Sequence, residues 1–138
     1  DFNRVQGQME TYFWDMPVED NVFLLLTTPA GQTAQPHATW TEWKNLFSLE
    51  IYGKYGKIDI NGLGRSYGPE RLTYYQMLPD LLPPKAEVFE YPGEDKSWDL
   101  EFAEFLTDIR EGREPDPGVR DAQAALRIVE SVYESNKQ

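Results

Sequence analysis

The feature that most constrains this chain is a change of hydrophobic period near Asp95. Before it, apolar residues recur at every second position; after it they recur every three or four. From Asn3 to Trp14, Val5, Gly7, Met9, Thr11 and Phe13 fall on one side, and Gln6, Gln8, Glu10, Tyr12 and Trp14 on the other. That alternation predicts a strand with two unlike faces. Turn residues follow from Met16-Pro17 to Asp20-Asn21. Val22 to Thr28 then runs apolar without alternation, which predicts a strand covered on both sides. Thr33 to Trp43 resumes in extended form, with Pro36 confined to an edge or a bulge. Leu46 to Tyr52 and Lys57 to Ile60 flank Gly53-Lys54-Tyr55-Gly56 and predict a hairpin whose glycines take positive φ. Arg71 to Met77 and Ala86 to Tyr91 read as two more strands, divided by Pro79, Pro83 and Pro84, although the Arg71 stretch also fits a helix.

Beyond Asp95, Trp98, Phe102, Phe105, Leu106 and Ile109 form one helical stripe. Ser97 is its expected N-cap, and Gly112 followed by Pro115 its stop. A second helix carries Ala122, Ala125, Leu126, Val129, Val132 and Tyr133, with Asp121 as the expected cap. Strands followed by helices define an α+β chain: a mostly antiparallel open sheet of about six or seven strands with two C-terminal helices packed on one face. No repeat, low-complexity run or linker divides it, so one domain over residues 1–138 is expected. The helices cover a single face. The other would carry Tyr12, Trp14, Tyr52 and some of the aromatics from Trp40 to Trp43, and an apolar face of that kind marks an interaction surface.

Composition then narrows the function. The chain has no Cys and one His, His37, which removes disulfides, thiolate chemistry and Cys-based metal sites and leaves little for a triad. Thirteen basic against 24 acidic residues give a net charge of −11, opposite to a nucleic-acid surface. No apolar run reaches the roughly 18 residues that a membrane span needs. The chain opens at Asp1 without an initiator Met or a basic-then-apolar signal, which reads as a fragment or processed product; a cytoplasmic location is expected.

Three segments invite chemistry. Gly62-Leu63-Gly64-Arg65-Ser66-Tyr67-Gly68 contains a G-x-G after a strand, but its third glycine comes one place late and Pro69 follows, so it reads as a turn between strands and not as a phosphate loop. His37 suits proton transfer near neutrality, and equally suits a hydrogen-bonded surface position. Trp40-Thr41-Glu42-Trp43-Lys44-Asn45 sets two indoles, a carboxylate, an ammonium and an amide within six residues. A polyhydroxylated ligand would stack on such indoles and bond the polar groups; the plain alternative is that alternate residues pack inward while Glu42 and Lys44 are solvated. Asp99 with Glu101, and Glu111 with Glu114, read as helix-end and surface charges.

Taken in order, several stretches resemble the C-terminal domain of the Gfo/Idh/MocA family of NAD(P)-dependent oxidoreductases. They are Trp40-Thr41-Glu42-Trp43-Lys44-Asn45-Leu46-Phe47, Glu50-Ile51-Tyr52-Gly53 to Gly56-Lys57, Gly62 to Gly68 with Glu70, Ser97-Trp98 with Glu101-Phe102 and Phe105, and Ala125-Leu126-Arg127-Ile128-Val129 to Tyr133-Glu134-Ser135. The resemblance implies a parent with an N-terminal Rossmann domain, a Glu-Lys-Pro motif carrying a catalytic lysine, and an Asp-to-His helix, none of which occurs in these 138 residues. It therefore implies a chain that holds no catalytic residue and no cofactor and is inactive alone, with NAD or NADP bound by the parent. It also implies one wall of the pocket for a sugar- or cyclitol-like substrate; by their clustered polar and aromatic chemistry Trp40, Trp43 and Lys44 are its foremost candidates, with His37 and Tyr67 behind them. Homo-oligomers would form through the open sheet face. The alternative is a free-standing α+β binding or dimerisation module without catalytic role; the upstream reading frame separates the two.

Overall fold

In the computed structural model, which describes residues 2–79 and 82–136, eight strands precede two helices. They are β1 (Arg4–Glu10), β2 (Asn21–Thr27), β3 (Thr33–Ala34), β4 (His37–Thr39), β5 (Ser48–Tyr52), β6 (Gly56–Asn61), β7 (Glu70–Gln76), β8 (Lys85–Tyr91), α1 (Ser97–Glu111) and α2 (Val119–Ser135). The α+β class and the C-terminal helices follow the period switch. The strands divide between two antiparallel sheets of four, where one sheet of six or seven was expected. The chain forms two compact units, Asp1–Trp43 with Asp108–Gln138, and Lys44–Thr107. This division falls inside the Trp40-to-Asn45 segment, where composition gives no linker signal.

The first unit is built around β2. β1 pairs along its whole length, from Arg4↔Thr27 to Glu10↔Asn21, and β3 and β4 share its other edge. Pro36 separates β3 from β4, as a residue without N–H must, and its carbonyl accepts the Leu24 N–H at 2.9 Å. β2 is not covered on both sides. Val22, Leu24 and Leu26 turn to one face, while Phe23 and Leu25 on the other are exposed. α2 packs against β1. Its tightest contact is Val132, 2% exposed, at Gly7: a Cβ on Gly7 would stand 2.8 Å from Val132 Cγ1. That close approach turns Ala124, Ile128 and Val132 toward the sheet and leaves Leu126 and Val129 of the expected stripe exposed. Asp121 is not the cap either. The helix starts after Gly118, and the Asp121 carboxylate accepts the Gly118 N–H at 2.8 Å from one turn inside.

The second unit is the β5-β6-β7-β8 meander. Its first hairpin forms as expected, with the Gly53 N–H donating to the Gly56 carbonyl at 2.8 Å. Positive φ is found at Gly62, Gly64 and Gly68 but not at Gly53 or Gly56. Gly56 is required by space instead, since a Cβ there would lie 2.9 Å from the Tyr75 carbonyl oxygen and a Tyr74 ring carbon. The Arg71 stretch is a strand. Register and alternation put Glu50, Tyr52, Lys57, Asp59, Asn61, Arg71 and Thr73 on one face. Leu49, Ile51, Ile58, Ile60, Leu72, Tyr74, Phe89 and Tyr91 share the other. Tyr52 thus stands on the polar face, bonded to Glu50 beside the Glu50–Lys57 ion pair. Within this unit α1 packs on none of the four strands, so the apolar face and the Trp98, Phe102 and Phe105 stripe are both open. Gly112, at φ 65°, ends the helix as expected.

Candidate functional site

The site grows from one buried carboxylate. Alternation in β1 stops at Glu10, and the chain loops back until the Asp20 N–H donates to the Glu10 carbonyl at 3.0 Å. Asp20 is 2% exposed. Its Oδ1 accepts the Tyr12 N–H at 2.9 Å and the Asn21 amide at 3.0 Å; its Oδ2 accepts Phe13 N–H at 2.8 Å and Trp14 N–H at 3.0 Å. Three successive N–H groups wrapped on an anion form a nest. Burial alone would push this carboxyl up, but the Trp14 and Tyr12 N–H donors, the Asn21 amide and the Phe13 N–H hold it well below the usual range. This wrapping explains why Tyr12 and Trp14 do not sit on a sheet face. Their backbone is spent on Asp20, and the rings project outward.

The rings then cluster. Phe13 meets Trp14 edge-on at 5.1 Å between centroids and Trp43 edge-on at 4.7 Å, and Trp14 lies 6.4 Å from Trp43. Trp43 reaches this position with φ 59°, a strained value for a bulky residue, while 72% exposed. Trp40 is 76% exposed; its N–H donates to the Asp20 carbonyl at 2.8 Å and its carbonyl accepts Trp14 Nε1–H at 3.3 Å. The indole N–H groups of Trp40 and Trp43 have no partner among the described residues. An open aromatic cluster with free donors at its rim suits the C–H face and hydroxyls of a polyol.

His37 belongs to the same unit. Facing Phe23 across β2 and β4, its ring stacks on that phenyl at 4.3 Å and 12°. His37 Nε2 lies 3.2 Å from Asn21 Oδ1, and Asn21 Nδ2 also donates to Thr41 Oγ1 at 3.1 Å. Thr41 in turn bonds Thr39 through its backbone N–H and its hydroxyl, both at 2.9 Å. By register Asn21, Phe23, His37 and Thr39 share the face opposite α2. The structure therefore brings His37, Trp40 and Trp43 into one unit, linked through Asp20 and Asn21, and places Lys44 and Tyr67 in the other. Asp20, Asn21, Phe13 and Trp14 were missed as site residues. The available signal was the end of alternation at three successive aromatics, Tyr12-Phe13-Trp14, with an acidic residue just before an apolar strand.

Tyr67 lines a cleft of about 760 Å³ in the second unit, together with Phe47, Arg65, Arg71, Glu90 and Tyr91. The Gly62–Gly68 loop that forms part of it does not fit a dinucleotide. Gly64 N–H is taken by the Glu70 carboxylate at 2.7 Å, and Glu70 already begins β7, so a phosphate would meet a carboxylate and no helix N-terminus. Among the described residues, no group of three or more His, Asp or Glu could hold a metal ion, and no helix is long and apolar enough to cross a membrane. Compared with known proteins, the chain matches no family model, and no curated protein matches it.

Proposed function

We propose that this chain is the substrate-binding and oligomerisation domain of an NAD(P)-dependent oxidoreductase acting on a sugar- or cyclitol-like compound in the cytoplasm. The observation that carries the binding half is the open Phe13–Trp14–Trp43 cluster, whose Phe13 and Trp14 backbone is held by the same Asp20 that bonds Asn21 and, through it, His37. A hydroxylated ring can lay its C–H face on the indoles while its hydroxyls meet the Trp40 and Trp43 N–H groups and the His37 imidazole. Lys44, which belongs to the other unit, is kept as a candidate on its residue chemistry alone. Tyr67 contributes from its own cleft. The ordered sequence resemblance supports the oxidoreductase half, in which a nicotinamide-binding domain outside this sequence performs hydride transfer and this chain alone is catalytically silent.

A second copy of the chain is the proposed partner. What supports it is the apolar face of the second sheet, where Leu49, Ile51, Phe89 and Tyr91 are all exposed. The test of the binding role is substitution of Trp43 and Lys44 by Ala in the oxidoreductase that contains this chain. A raised KM is expected; unchanged KM and kcat would overturn the assignment. For pairing, sedimentation at low micromolar concentration should show more than the 16.0 kDa monomer. A monomer alone would count against it.

A further inference from the structure

We propose that Asp20 is a positioning residue for this surface: through Asn21 it fixes His37 with its proton on Nε2 and leaves Nδ1 as an open hydrogen-bond acceptor. The chain of donors runs one way. An ionised carboxylate only accepts, so the group that Asn21 presents to Asp20 Oδ1 at 3.0 Å must be its amide nitrogen. That nitrogen spends its second N–H on Thr41 Oγ1 at 3.1 Å. The atom left facing His37 Nε2, at 3.2 Å, is therefore the carbonyl oxygen Oδ1, and a carbonyl oxygen cannot donate. Nε2 must carry the hydrogen. In a neutral imidazole Nδ1 is then the acceptor, and it has no partner among the described residues.

Burial makes the arrangement strict. Asp20 and Asn21 are 2% and 4% exposed, so solvent does not replace either partner, and the stacked Phe23 ring holds the imidazole plane. The same carboxylate anchors the backbone of Tyr12, Phe13 and Trp14. One buried anion thus sets both the aromatic cluster and the direction of the imidazole. That Nδ1 receives a hydroxyl hydrogen from a bound polyol rests on the binding reading above; the tautomer does not.

The chain has a single histidine, so a long-range proton–nitrogen correlation spectrum contains one imidazole. The spectrum is recorded at about pH 8.5. The expected result is a protonated Nε2 whose hydrogen exchanges slowly enough to be seen, and an unprotonated Nδ1. Asn21→Ala should lose the Nε2–H signal and mix the tautomers while keeping the Phe13–Trp43 ring contacts. Asp20→Asn should lose both, since an amide offers one oxygen to four donors. Val132→Ala, on the opposite face of the sheet, should lower stability and keep both. An Nδ1–H tautomer in the unmodified chain would overturn the proposal, as would an Nε2–H signal that survives Asn21→Ala. Equal loss of the signal in Val132→Ala would reduce Asp20 to a purely structural role and overturn it too. Should Asp20→Asn not fold, Asn21→Ala alone decides. None of these readouts involves a ligand, so a correct tautomer with no response to added myo-inositol would sink the binding reading and leave the positioning role standing.

Discussion

The contact between Gly7 and Val132 allows a quantitative test of how the first unit is held together. Val132→Ala removes two buried carbons; at about 0.8 kcal/mol each this costs about 1.6 kcal/mol, rising toward 2–3 with the cavity left behind. Gly7→Ala acts in the opposite sense. The new Cβ would sit 2.8 Å from both Val132 Cγ1 and Leu24 Cδ2, against a comfortable carbon separation of roughly 3.5–4.0 Å. Overpacking of that kind costs about 1–3 kcal/mol. In the double variant the methyl added at Gly7 enters the space the valine methyls vacate, and the Leu24 methyl is the end of a flexible side chain. The combined loss should fall short of the sum of the two by about 1–2 kcal/mol. Urea unfolding followed by tryptophan emission reads this unit, since three of the four tryptophans, Trp14, Trp40 and Trp43, lie in it. Additivity within about 0.5 kcal/mol would refute the claim that this contact closes α2 onto β1.

Three further outcomes follow from single residues. Gly62 has φ 82° and a Cβ there would stand 2.4 Å from the Pro69 carbonyl oxygen, so Gly62→Ala should destabilise the second unit by about 2–4 kcal/mol, whereas Gly68→Ala, at φ 97° with open space, should cost about 1; far-UV circular dichroism melts compare them. At Trp43, φ 59° should reverse the ordinary ranking, making Trp43→Gly more stable than Trp43→Ala by about 1 kcal/mol in urea unfolding, and the opposite order would remove the strain. Asp20 titrates below its ordinary value of 3.8, so the unfolded chain takes up its proton first. Its contribution is complete above that value and fades as pH falls toward the depressed folded one. The acid side of the stability profile should therefore be steeper in the unmodified chain than in Asp20→Asn, and equal slopes would contradict it.

Much of the fold was legible because local patterns decided it. The β5–β6 hairpin, β8 and the end of α1 at Gly112 each carry period, glycine or proline signals strong enough to stand alone, whereas the β7 stretch also fitted a helix and Ser97 is the first residue of α1, not its N-cap. What failed depended on distant partners. β2 reads as doubly covered, yet whether Phe23 and Leu25 are covered is decided by layers elsewhere in the chain. The α2 stripe was displaced because a missing side chain at Gly7, more than 100 residues earlier, selects Val132 as the point of closest approach. In the site, His37, Trp40 and Trp43 were visible as residue types suited to a ligand. Asp20 was not, because an aspartate in a turn looks the same whether it is solvated or buried under three backbone N–H groups.

The Phe13–Trp14–Trp43 surface with His37 is proposed to receive a polyhydroxylated ligand. The direct measurement is an NMR titration of the 138-residue chain with myo-inositol, following the four indole N–H signals and the imidazole. Saturable shifts are expected at Trp14, Trp43 and His37 with millimolar affinity, about −4 kcal/mol, with no shift at Trp98 and loss of the response in Trp43→Ala. Shifts confined to Trp98, or none at Trp14, Trp43 and His37, would contradict it.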